Sequence, residues 1–183
     1  MSQLIDIAIQ YLGYPSVPYT KPGEGRTPDG FTCAGFVHFV LGEAGLSIPD
    51  YHTYELFDRF GILVHDGLQK PGDLAFESKY GFKPTHVEFY VDIDTLTELM
   101  DDYGSRIQKD LINDFVSATS AREFMIGSHG KAGSKVMLTE LVRTSITPDP
   151  KFSHLPQLYN VNPIGFKRPA VLLPGKKYQE IFS

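Results

Sequence analysis

Apolar positions along the first third of the chain recur at spacings of three and four. Leu4, Ile5, Ala8, Ile9 and Leu12 share one face of a helix predicted over residues 2–12, which Gly13 and Pro15 end. A loop rich in glycine and proline follows over residues 13–31. A second helix runs from about Cys33 to Leu41, with Phe36, Val37, Val40 and Leu41 on its apolar face and Gly42 or Gly45 at its end. Tyr51 to Phe60 predicts a short helix. The period then changes. Lys70-Pro71-Gly72-Asp73 is a turn, and Leu74-Ala75-Phe76 opens a strand after it. Val87, Phe89 and Val91 alternate with His86, Glu88 and Tyr90, the period-two pattern of a strand. Phe124-Met125-Ile126, Lys135-Val136-Met137-Leu138 and Ile164-Gly165-Phe166-Lys167-Arg168 read as three more, the last closed by Pro169. Helices first and strands afterwards predict an α+β fold rather than alternating βαβ units.

Residues 92–123 stand apart. Leu96, Leu99, Met100, Tyr103, Ile107, Leu111 and Phe115 recur at helical spacing, which predicts a helical insertion between two strands. This segment holds eight acidic and three basic residues, a balance of −5 that equals the formal charge of the whole chain. The acidity is therefore local. A solvated outer helix face accounts for it, and a lid or partner-binding element is the rival reading.

The chain has 183 residues, which fits one domain spanning 1–183. Its apolar fraction of 42% is enough for a core and excludes general disorder. A net charge of −5 without a Lys/Arg cluster argues against tracking nucleic-acid phosphates. No apolar run approaches the roughly 18 residues of a membrane span. Met1-Ser2-Gln3-Leu4-Ile5-Asp6 lacks the basic stretch and apolar run of a secretory signal. The expected location is therefore cytoplasmic, or outside by a route that needs no such signal. The six histidines are scattered without metal-ligand spacing, so neither a metal nor a cofactor is expected.

Cys33 is the only cysteine. Thr32 before it is a suitable N-cap, which places Cys33 in the first helical turn. Unpaired backbone N–H groups and the helix dipole there favour a thiolate and can hold an oxyanion. A small buried apolar residue is the competing reading. His86 is the candidate base. It lies on the strand face opposite Val87, Phe89 and Val91, and is expected to point away from that layer toward the Cys33 helix. His38, five residues after Cys33, falls on a different helical face and is a poor base. His52, His65, His129 and His154 are the other competitors.

Several segments, in order, resemble the NlpC/P60 family of papain-like cysteine peptidases. Tyr11-Leu12-Gly13 with Pro18-Tyr19 resembles the family opening "YLG…PY". Phe31-Thr32-Cys33-Ala34-Gly35-Phe36-Val37 resembles the nucleophile motif, commonly F-D-C-S-G-F-V. Leu68-Gln69-Lys70-Pro71-Gly72-Asp73-Leu74 resembles "L-x-P-G-D-L", Thr85-His86-Val87-Glu88-Phe89-Tyr90-Val91 resembles "H-V-G-I-Y-V", and Gly165-Phe166-Lys167-Arg168-Pro169 resembles the closing strand. The resemblance implies a papain-like fold, with N-terminal helices packed on a central antiparallel sheet. It implies Cys33 as nucleophile, His86 as base, and Tyr19 as a hydroxyl that helps hold the oxyanion. The implied substrate is a bacterial cell-wall peptide, cut between D-γ-glutamate and a diamino acid.

The expected third residue departs from the pattern. The family often has "M-I-H-A" on the strand after the histidine, and Met125-Ile126-Gly127-Ser128-His129 stands there. His129 shares a strand face with position 127 and is the candidate orienting residue, with a loop histidine as the alternative. Ser128 is expected to face the other way. Thr32 replaces the usual Asp before the cysteine, and Ala34 the usual Ser. Two further functions stay open: a cysteine acyltransferase or amidase acting on another substrate, and a non-catalytic binding domain.

Overall fold

The computed structural model describes residues 3–20, 23–79, 83–102, 106–131, 133–145, 161–172 and 178–180. Helix α1 (Gln3–Ile9) buries Leu4, Ile5, Ala8 and Ile9, the predicted face. It ends in tight turns, and Gly13, at φ 86°, redirects the chain so that its N–H reaches Val136 O at 2.9 Å. The short strands β1 (Arg26–Thr27) and β2 (Gly30–Phe31) form a hairpin within the glycine-rich loop. Helix α2 (Cys33–Glu43) buries Phe36, Val37, Val40 and Leu41 as predicted. Gly42 lies inside it, and Gly45, at φ 85°, is the glycine that stops it. Helix α3 (Thr53–Arg59) is the predicted short one.

Six strands make the central sheet. They are β3 (Ile62–Val64), β4 (Leu74–Glu77), β5 (His86–Asp92), β6 (Glu123–Ser128), β7 (Val136–Glu140) and β10 (Gly165–Arg168). Their order is β3-β10-β4-β5-β6-β7, antiparallel throughout. The remaining strands, β8 (Thr144–Ser145), β9 (Val161–Asn162), β11 (Ala170–Leu172) and β12 (Tyr178–Glu180), pair outside this sheet. The fold is α+β.

Both faces of the sheet are covered. On one, α1 and α2 bury Val87, Phe89, Val91, Phe124 and Ile126 in the main core. On the other, Val64, Ala75, Tyr90, Met125, Leu141 and Phe166 form a second, smaller core. Strand β5 is thus buried on both sides. The body of α2 packs on the Val87 face, not on the face that carries His86. His86 still reaches the Cys33 helix, but at its first residue and not along its body. His86 is the first residue of β5 and Cys33 the first of α2, so the two meet where both elements begin.

Helices α4 (Ile93–Asp102) and α5 (Arg106–Ser117) lie between β5 and β6. The single helical period expected here is broken. Leu96 and Leu99 are buried, but in α5 Ile112 is 1% exposed while Leu111 is 42% exposed. The break between the helices resets the phase, so the buried stripe shifts by one residue. Tyr103 and the Ile107 side chain lie outside the described residues, as does His154. No helix among the described residues is long and apolar enough to cross a membrane.

Candidate active site

Cys33 stands at the start of α2 because of its neighbours. Thr32, at φ −86° and ψ 168°, caps the helix, and its hydroxyl accepts the Gly35 N–H at 3.0 Å. The preceding loop is pressed against this turn, with Thr32 N–H bonded to Gly25 O at 3.0 Å. A Cβ at position 35 would lie 1.9 Å from Gly25 O, so only glycine lets the loop close over the helix end.

The thiol is set among polar groups. His86 is in hydrogen-bonding and charge contact with it. Thr53, the first residue of α3, places Oγ1 3.7 Å from Sγ, and the Ala34 N–H points at the sulfur. Burial pushes the Cys33 thiol up, but His86, Thr53 and the Ala34 N–H together outweigh it and hold the thiol below its ordinary value. For His86 burial acts downward, yet Cys33 and Glu88 raise it well above the usual imidazole range. A thiolate beside an imidazolium satisfies both shifts at once.

Behind His86 lies Glu88, 1% exposed. Its Oε2 is 3.6 Å from His86 Nε2, and its Oε1 is 3.4 Å from His129 Nε2. The two imidazole rings stack with centroids 5.0 Å apart and planes at 28°. His129 therefore lies beside the His86 ring face, not in line with a ring nitrogen. Thr139 on β7 donates its hydroxyl to Glu88 Oε2 at 3.3 Å. Ser128 faces the other way, as expected; its hydroxyl donates to Phe31 O at 2.5 Å and can accept from the Ser16 hydroxyl at 2.8 Å.

His86, Glu88 and His129 each offer one ligand atom, all within 4.8 Å of one another. An imidazolium has no nitrogen lone pair to offer a metal, so with His86 protonated these groups form an ion-paired cluster and not a ligand set. Sequence spacing gave no sign of this cluster, because positions 86 and 129 meet only through β5–β6 pairing.

A cleft of about 400 Å³ opens over Cys33. Tyr19, Arg26, His52, Thr53, Tyr54 and Lys83 are among its lining. Tyr19 is 54% exposed, and its hydroxyl is 3.1 Å from His52 Nδ1. His52 stacks on Tyr54 at 10°, and the Lys83 ammonium sits 4.5 Å from the Tyr54 ring centre. Arg26 pairs with Asp50 along the same wall. His38 is elsewhere, with Nε2 3.0 Å from Tyr51 O. Thr53 and Glu88 were missed as site residues. Thr53 carries no sequence signal, whereas Glu88, an acid in an apolar strand, was a visible one.

Comparison with known proteins bears on the fold and the family. A search of curated proteins found none that matches. Among solved structures, an NlpC/P60 family protein from Bacillus cereus superposes with a TM-score of 0.54 at 21% identity, over 91% of this chain and 39% of that one. This chain thus spans about two fifths of that protein's length. The NlpC/p60 domain of the peptidoglycan hydrolase SagA gives 0.46 at 21% identity, over 75% of this chain and 86% of that one. A Staphylococcus aureus protein described as similar to a lipoprotein of the NLP/P60 family gives 0.49 at 19%, over 91% and 40%. The NlpC/P60 family profile matches residues 17–127, a span that takes in Tyr19, Cys33, His86 and Glu88. With more than half its length matched and the fold shared, the chain belongs to the NlpC/P60 family.

Proposed function

We propose that this protein is a cysteine amidohydrolase that cuts an amide bond in cell-wall peptides, with Cys33 as nucleophile and His86 as its acid–base partner. The observation that carries this reading is the contact between the Cys33 thiol, on the first residue of α2, and His86, the first residue of β5, beneath an open cleft. The Cys33 thiolate attacks the amide carbonyl carbon. The resulting oxyanion forms at the start of α2, where helical N–H groups point outward. The Tyr19 hydroxyl, on the wall of the same cleft, is the second donor. His86 gives its proton to the leaving nitrogen as the C–N bond breaks, which leaves a thioester. His86 then takes a proton from water, the water oxygen displaces sulfur, and the acid product leaves.

Family membership and cleft chemistry both support the substrate class. The walls carry Arg26, Lys83, Glu24 and Asp50, so they offer charge of both signs. A peptide with free carboxylates and a side-chain amine suits such a cleft. Cutting between D-γ-glutamate and a diamino acid is the specific reaction proposed.

The test is incubation with defined cell-wall peptides, followed by mass spectrometry of products and protein. The expected result is a new amine terminus at the D-γ-glutamyl bond, a transient acyl adduct on Cys33, and no reaction in Cys33→Ala. Tyr19→Phe should lower kcat by about 10²-fold with little change in KM, as for a lost oxyanion donor. Cleavage that survives in Cys33→Ala would contradict the mechanism. An inert Cys33 with intact peptide binding would favour a non-catalytic domain, and acyl transfer to added amines in preference to water would favour an acyltransferase.

A further inference from the structure

The carboxylate of Glu88 is the least expected group near Cys33. It is 1% exposed in the middle of β5, between Val87 and Phe89. Burying a carboxylate is costly unless a charge or donor answers it. What answers it here is two imidazoles, at 3.6 and 3.4 Å, and the Thr139 hydroxyl. Yet Glu88 Oε1 and His86 Nε2 are both buried without a hydrogen bond. The 3.6 Å separation is that of an ion pair, short of a hydrogen bond. So the carboxylate is poised beside His86 but is not consumed by the fold.

The neighbouring strand is shaped around it. Strands β5 and β6 run antiparallel with Phe89 opposite Ile126, which puts Glu88 level with Gly127. A Cβ at position 127 would lie 2.6 Å from Glu88 Cγ and 2.7 Å from Oε1. The absence of a side chain there is thus the space that Glu88 occupies. A histidine at 127, which the resemblance led one to expect, and a glutamate at 88 cannot both fit in this geometry.

We propose that Glu88 is the positioning residue of the site: its carboxylate fixes the His86 ring and stabilises the imidazolium, with Gly127 as the gap that admits it. This rests on the Cys33–His86 reading above and names the third member of that pair's machinery. It moves the orienting role from β6 to β5, two residues after the base. Because Glu88 lies on the Nε2 side, the sulfur falls to Nδ1. His129 stacks on the His86 ring and shares the carboxylate, so it closes Glu88 from the outer side instead of orienting His86 directly. Among the described residues, the titratable groups around His86 are Cys33 from α2, Glu77 opposite it on β4, Glu88 on β5 and His129 after β6.

The test is the pH dependence of Cys33 alkylation in wild type, His86→Ala, Glu88→Gln and Gly127→Ala, each with its melting temperature. Glu88→Gln keeps the shape and removes the charge. Its alkylation midpoint should rise by about one pH unit, the low end of what a neighbouring charge contributes. That leaves about fivefold less thiolate at the wild-type midpoint, and about tenfold less well below it. Gly127→Ala keeps every charge but pushes Glu88 aside, and should shift the midpoint the same way by less. It also serves if Glu88→Gln does not fold. A merely structural Glu88 would lower the melting temperature of both variants and leave both midpoints at the wild-type value, which overturns the proposal. If His86→Ala moves the midpoint and the other two do not, only the Glu88 assignment falls. If His86→Ala moves nothing, the Cys33–His86 reading falls and Glu88 with it.

Discussion

Cys33 and His38 lie five positions apart on one helix and meet opposite surroundings. At Cys33, neighbouring donors outweigh burial. At His38 burial dominates: it and the Arg26 charge push the imidazole down to about 4, against a smaller upward pull from the bond to Tyr51 O. The consequence is a pH-dependent stability. A depressed folded value means the contribution is complete above the unfolded value of about 6.5 and is lost as pH falls toward 4. The interval corresponds to about 3 kcal/mol. Urea unfolding of wild type should therefore weaken by about that much between pH 7 and 4 relative to His38→Gln. Parallel pH profiles for the two proteins would contradict the account. At this scale much was legible. The position of Cys33 followed from the Thr32 cap, and the poor prospects of His38 as a base followed from helical spacing. Glu88 reads as one polar position of an alternating strand, and only the second core shows that its face is buried too.

Two segments nearly a hundred residues apart make one structural joint. Pro71-Gly72 turns the chain into β4, and Asp73 caps that turn by accepting the Lys70 N–H at 2.8 Å. The same carboxylate takes both arms of Arg168 from β10, at 2.9 and 3.0 Å. The pair is nearly buried, with side chains 15% and 3% exposed. Arg168→Met leaves Asp73 as a buried charge without its cation, and should cost about 3 kcal/mol in urea unfolding. A loss within about 0.5 kcal/mol, the range of a surface change, would show the joint to be dispensable. Sequence reading found both segments but not their contact, since β10 enters the sheet between β3 and β4 from far along the chain. Strand β3 went unread altogether. Three residues after Gly61 are too few to show a period, and their pairing with β10 is what makes them a strand.

For the whole molecule, the arrangement that matters is the sheet with a core on each face and the site at one end. The helical core fixes where α2 begins. The second core, around Tyr90, Met125 and Phe166, supports the face of β5 that carries His86 and Glu88. Fold class and the order of the main strands' segments could be read from periodicity, because both depend on local pattern. The His86–Glu88–His129 cluster could not, because it depends on β5–β6 register across the two intervening helices. We propose that this architecture holds Cys33 as a thiolate against the His86 imidazolium. The most direct test is the rate of Cys33 alkylation against pH in the wild-type protein and in His86→Ala, a clean measurement because the chain has one thiol. The account predicts a wild-type midpoint well below the free-thiol value of about 8.5, moved upward when His86 is removed. An inert thiol, or a midpoint near 8.5 that ignores His86, would contradict it.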